Sequence, residues 1–131
     1  MLITKSDTKQ IQLIVGAGGV VRGDLVVIAS DLVVKAAAAP VDATILGIAT
    51  ETADAAELII VELIENNTVM SDYAGTTKPT LADTDLGTAF DLTDSTKVNL
   101  DDTIGGACIC VGYDNNIKQI MFVIPQAKRY L

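Results

Sequence analysis

The side chains that could carry chemistry in this 131-residue chain are two cysteines and several close carboxylate pairs, with no histidine in the sequence. Without imidazole the chain lacks the commonest general base near neutral pH and the usual activator of a serine or cysteine nucleophile. Cys108 and Cys110 stand two apart in an apolar run with Ile109 and Val111, so on a strand both point to one face. A disulfide at that spacing would be strained, and two thiols without histidine make a poor zinc site. They read as small buried hydrophobes. Asp83/Asp85, Asp91/Asp94 and Asp101/Asp102 are of the right type for an acid pair or for calcium, but none sits in the D-x-[DN]-x-[DN]-G spacing of a calcium loop. Aspartate is also a common turn former. Sugar chemistry by two carboxylates would want aromatic platforms, and aromatics are 4% of the chain. The expectation is a protein that is not an enzyme and uses no cofactor and no metal.

Two short motifs invite a functional reading. Gly16-Ala17-Gly18-Gly19 resembles the start of a dinucleotide fingerprint, but the third glycine of G-x-G-x-x-G would fall at Val21, and a strand follows where a phosphate-binding helix is needed. Arg22-Gly23-Asp24 spells the integrin tripeptide, yet Gly23-Asp24 reads better as the start of a strand.

The elements around these residues are strands. Residues 11–15 form a short strand ending at the glycines. Gly23-Asp24 opens the apolar run 25–29, Ser30-Asp31 turns it, and Leu32-Val33-Val34 runs back as a hairpin. Four alanines before Pro40 are too few for a helix that survives in water. Residues 45–49 resume as a strand, with Gly47 where bulk would block a close approach or a bulge. Residues 87–113 echo this: a glycine, a strand over 88–92, a turn at Thr93-Asp94-Ser95, a return over 97–100, and Cys110-Val111-Gly112-Tyr113 in the place of Leu46-Gly47-Ile48-Ala49. Gly87 repeats Gly23 64 positions on, and residues 57–64 and 117–124 are the matching final strands. Tandem duplication of one β unit would let two halves close over one core; two unrelated three-stranded meanders would look similar. Tyr113 to Ile117 reads as a hairpin turn. The polar residues 66–85 read as a long loop, of a length usually functional or disordered.

Composition bounds the rest. One domain spanning 1–131 is expected, all-β, a small antiparallel β-barrel or β-sandwich, with an N-terminal arm over about 1–10 and a C-terminal tail over 126–131. The chain is 50% hydrophobic with a mean hydropathy of +0.42 and no tryptophan, so the core must be built from Val, Ile, Leu and Ala, which favour sheet. A net charge of −8 repels nucleic acid and anionic membrane surfaces alike. No run is long enough to span a membrane as a helix, and the first residues lack a signal-peptide core, so synthesis in a cytosol is expected. Basic Lys5, Lys9, Lys128 and Arg129 cluster at the two ends of an acidic body, either as ordinary solubilising charge or as anchors for an acidic neighbour.

The hydrophobic patterning of residues 58–64 and 120–124 puts apolar side chains on both strand faces. Antiparallel strands normally show water a polar face, so a second cover is needed, either packed loops or a neighbouring subunit. The subunit is preferred, with Ile60, Phe122 and Ile124 as candidate interface residues.

The succession VVRGDLVVI, ILGIATETADAAELIIVEL, GTAFDLTDSTKVNLDD, GACICVGYDNN and IKQIMFVIP resembles the capsid decoration, or cement, proteins of tailed bacteriophages over most of the chain. The resemblance implies a β-barrel or β-sandwich that forms a homotrimer on the outer surface of the virion, bound to the major capsid protein after synthesis in the bacterial cytoplasm. It brings no active-site residues. Residues 66–85 have no counterpart in it. Candidate capsid contacts are Lys5, Lys9, Tyr73, Lys78, Lys128 and Arg129, the basic or aromatic groups of an acidic body. A phage tail or fibre component, and a non-viral small β-barrel ligand-binding module, are the alternative readings.

Overall fold

The computed structural model describes residues 1–4, 9–65 and 67–128 and is all-β apart from two 3-10 turns, Asp42–Thr44 and Asp83–Asp85. Its strands are β1 (Leu2–Ile3), β2 (Gln10–Ile14), β3 (Leu25–Ala29), β4 (Leu32–Lys35), β5 (Ile45–Ala49), β6 (Leu58–Leu63), β7 (Val69–Ala74), β8 (Ala89–Leu92), β9 (Lys97–Asn99), β10 (Cys108–Asp114) and β11 (Gln119–Val123).

They form two sheets that each curl back on themselves. The first has the order β2-β6-β5-β3-β4, and a parallel bridge between Val15 and Val33 returns β4 to the end of β2. Gly16 N–H donates to the Val33 carbonyl at 2.7 Å there. The second, beyond the added strand β1 at its edge, has the order β7-β11-β10-β8-β9, and β9 closes parallel onto β7 by pairing Lys97, Val98 and Asn99 with Asp72, Tyr73 and Ala74. Strand for strand the two orders are the same, including the parallel closure. The echo seen in the sequence is thus a repeated five-strand unit, with one correction of register: Leu25 pairs with Ile48 where Ala89 pairs with Ile109, so Cys110 stands in the place of Ala49 and not of Leu46. The anchoring hydrogen bonds repeat too: Gly23 N–H donates to the Ala49 carbonyl and Ala49 N–H to that of Asp24, while Gly87 N–H donates to Cys110 and Cys110 N–H to Thr88. Gly23 and Gly87 both take left-handed backbone angles, φ 91° and 86°, which glycine adopts without a Cβ penalty.

Local chemistry explains most turns. Ser30 and Asp31 have φ of 50° and 64°, the paired left-handed residues of a two-residue hairpin turn. Gly47 faces the backbone of β6 so closely that a Cβ there would run into the Glu62 carbonyl. The second hairpin turn lies further on than Tyr113 to Ile117: β10 runs to Asp114, Lys118 carries the left-handed angle at φ 52°, and Ile117 is an exposed turn residue.

The interior of the first unit is aliphatic, built on Val15, Val20, Val26, Val33, Leu46, Ile59, Val61 and Leu63. A larger cluster fills the second unit around Phe90, Phe122, Leu92, Ile120 and both cysteines, and takes in Leu25, Ile45 and Ile48 from the first. Hydrogen bonds cross the same seam. Leu25 N–H donates to the Ser95 carbonyl at 2.8 Å, and Ser95 Oγ donates to buried Asp24 Oδ1 at 3.0 Å. Asp24, the last residue of the integrin-like tripeptide, is therefore inside the protein at 4% exposure.

Both ends differ from free appendages. In the expected N-terminal arm, β1 pairs antiparallel with β7, Leu2 opposite Met70 and Ile3 opposite Val69, and Gln10 already belongs to β2. In the C-terminal tail Ala127 is buried and Lys128 N–H donates to the Ile45 carbonyl at 2.8 Å, fastening this part of the tail to the first unit. Residues 66–85 are not one long loop, because β7 lies among them, with Val69, Ser71 and Tyr73 turned inward.

Candidate interaction surface

On β6 the side chains of Ile59, Val61 and Leu63 fill the first unit at 0–2% exposure, while Leu58 at 54% and Ile60 at 39% stand outside. The antiparallel pairing with β2 sets Ile14 opposite Leu58 and Gln12 opposite Ile60. Ile14 is also exposed. Three large aliphatic side chains therefore lie together on an outer sheet face, where alternation would ordinarily place polar groups. Uncharged Gln10 and Gln12 continue this face along β2, and Glu62 opposite Gln10 marks its charged end.

Of the three interface residues expected from sequence, Ile60 belongs to this face and the other two are corrected. Phe122 is fully buried and Ile124 is 4% exposed, both in the large core, because β11 turns its even-numbered side chains inward. Its outward positions are Met121 and Val123. The signal that pointed to Phe122 was real apolarity, spent on the protein's own core.

The basic and aromatic candidates do not converge. Tyr73 is corrected to a core residue: its ring is buried and its hydroxyl donates to Asn115 Oδ1 at 2.6 Å, while Asn115 Oδ1 also accepts from Leu81 N–H and its Nδ2 donates to the Leu81 carbonyl. Burial, with Asp114 nearby, raises the Tyr73 hydroxyl above its ordinary pKa. Lys78 is held in an ion pair with Asp85 at 2.9 Å. Lys9 is exposed just before β2, and Lys128 is exposed near the end of the described chain. Lys5 and Arg129 lie outside the described residues.

The carboxylates flagged as possible acids or cation ligands accept hydrogen bonds from the protein's own amides and hydroxyls. Asp101 accepts from Thr76 and Lys78 N–H, which hold its carboxyl below the usual range. For Asp85 burial works upward, but the hydrogen bonds from Lys78 and Ala82 N–H outweigh it and lower the pKa. Asp94 is lowered by the Thr96 hydroxyl and amide. Asp83 accepts from the Tyr113 hydroxyl at 2.6 Å, which raises that phenol. Asp91 is the exception. It is 3% exposed, and burial raises its pKa against the pull of Leu92 N–H, with Asp102 and Asp42 adding to the rise. Both thiols are raised mainly by burial, so neither is a ready nucleophile.

Leu58 and Ile14 were not singled out by sequence as surface residues. Leu58 sits in a strand apolar on both faces, and its neighbour across the sheet, Ile14, becomes visible only once the β2–β6 register is known. The chain matches no protein-family model and no curated protein sequence.

Proposed function

We propose that this protein is a structural virion component that binds the outside of a phage capsid as a homo-oligomer and stabilises it. The observation that carries this reading is the exposed aliphatic stripe Ile14, Leu58 and Ile60 on a chain of net charge −8. Contiguous exposed apolar surface marks protein contacts in soluble proteins, and an acidic body discourages contact with packaged nucleic acid. The likeness of the strand motifs to capsid decoration proteins supplies the kind of partner. The arrangement supports a passive role, since the flagged carboxylates accept hydrogen bonds from the chain's own backbone amides and hydroxyls and the thiols lie in the core. Oligomerisation adds avidity, because several copies of one shallow contact hold far more tightly than one.

The test is to mix the purified protein with mature heads of its phage that lack it, then to follow co-sedimentation and head survival under heat. Binding with a raised survival temperature is the expected result. Absence of co-sedimentation, or a tail location by electron microscopy, overturns the reading.

A further inference from the structure

Each unit contains one crossover between strands that run the same way. β4 and β5 both pair antiparallel with β3, so residues 36–44 must carry the chain back along the unit before β5 can begin. β9 and β10 stand in the same relation to β8, and residues 100–107 make the return. These two loops carry the most exposed large apolar side chains among the described residues, Val41 at 69% and Ile104 at 89%. Single exposed aliphatics are common on protein surfaces. This pair differs because the corresponding loop of both units presents one, and because the two loops meet.

They meet at the end of β8. Ala39 N–H donates to the Leu92 carbonyl at 3.3 Å, and Asp91 N–H donates to the Asp102 carbonyl at 2.9 Å. Consecutive residues of a strand direct their backbone groups to opposite edges, so one loop stands on each side of β8, about 10 Å apart, or two strand spacings. The charges of Asp42 and Asp102 both act on the Asp91 carboxyl between them.

Both tips are held in place. The Val41 carbonyl accepts from Thr44 N–H at 3.0 Å and from the Thr44 hydroxyl at 2.7 Å. Ile104 N–H donates to Asp102 Oδ1 at 3.1 Å, and the Asp101 carboxylate ties the same loop to Thr76 and Lys78 N–H. A side chain on a fixed turn loses little freedom on binding. Charge selects the partner. Neither loop contains lysine or arginine, and together they carry Asp42, Asp101 and Asp102. Of the bases that approach, Lys78 is paired with Asp85 and Lys128 is fastened beside Ile45, so the acids prevail. Such surroundings repel another copy of a chain of net charge −8 and favour a basic surface.

We propose that Val41 and Ile104 are paired anchors with which this end of the molecule docks on the capsid, each filling an apolar socket rimmed by lysine or arginine side chains of the capsid surface. The inference rests on the capsid reading and supplies its contact. The stripe of Ile14, Leu58 and Ile60, on β2 and β6, is a separate surface.

The test titrates the whole protein into mature heads of its phage that lack it and reads Kd by co-sedimentation. Val41→Ser and Ile104→Ser should each raise Kd about tenfold or more, and the double variant further still. Denaturant unfolding should stay unchanged, because neither side chain is in the core. Added salt should weaken native binding. Asp42→Lys, which leaves both tips in place, should weaken it too, and it stands in should a serine variant fail to fold. Native-like binding by the folded double variant or by Asp42→Lys, or native binding that salt does not weaken, overturns this inference and leaves the capsid reading standing. Heads that bind no native protein overturn both.

Discussion

The first unit is filled by Val, Leu and Ile and joined at its seam through the single Val15–Val33 bridge, whereas the second wraps around Phe90, Phe122 and Tyr73 and is sealed by three consecutive pairs between β7 and β9. The same strand order therefore supports two different jobs. The sealed unit holds the larger side chains and shares its core with Leu25, Ile45 and Ile48, so it braces the molecule. The loosely closed unit keeps an exposed aliphatic stripe, a feature suited to contact. Repetition of one strand order thus leaves one unit as the brace and the other with apolar surface outside.

Four measurements would break or sharpen this division. Phe122→Ala empties the centre of the braced unit and should cost about 3–5 kcal/mol in denaturant unfolding. Because the core is shared, both units should unfold together; two separated transitions would show that the first stands alone. Asp24→Ala cuts the seam, leaving Ser95 Oγ and Val21 N–H without their acceptor, and should cost about 1–3 kcal/mol. A negligible loss would mean that packing alone joins the units.

Asp91→Asn tests a weakness of the braced unit. Its folded-state pKa is raised above the ordinary 3.8 by burial, so the folded chain binds the proton more tightly than the unfolded chain does. Its contribution is therefore most favourable at or below the ordinary value and is lost as pH rises through the folded one. Asparagine can still accept from Leu92 N–H, so the variant should melt higher than the native protein at pH 7, with the gap closing near pH 4. A gap that is absent or reversed at pH 7 rejects the argument. The smallest stability effect belongs to the contact unit: Ile60→Asp, on a partly exposed face, should stay within about 0.5 kcal/mol of the native protein while weakening self-association. A large loss of stability would place Ile60 in the core instead.

Much of this was legible in the residues. The Ser30-Asp31 hairpin, the approach at Gly47, the inward cysteines and the echo between Gly23 and Gly87 all follow from local rules about backbone angles and alternation. What failed was telling the inner from the outer face on strands that are apolar on both. Residues 120–124 and 58–63 are comparably apolar, and each strand buries alternate side chains, but β11 turns its even-numbered residues, Phe122 among them, inward while β6 turns its odd-numbered ones inward and leaves Leu58 and Ile60 outside. β7 was hidden because its inward positions Val69, Ser71 and Tyr73 alternate with Met70, Asp72 and Ala74, a mixture with no continuous apolar run. Tyr73 looked like a surface anchor because its partner, Asn115, is 42 residues away in the chain.

The crossing of the two ends also governs how the molecule is made. During synthesis the first unit leaves the ribosome with Leu25, Ile45 and Ile48 still uncovered, since the residues that pack on them belong to the second. The Ile45 carbonyl waits until Lys128 has been translated, and β1, which is made well before β7, waits for it. Contacts of such long sequence separation slow folding. The nascent first half is thus a species with open strands and bare apolar surface, exposed to aggregation until the second half is complete.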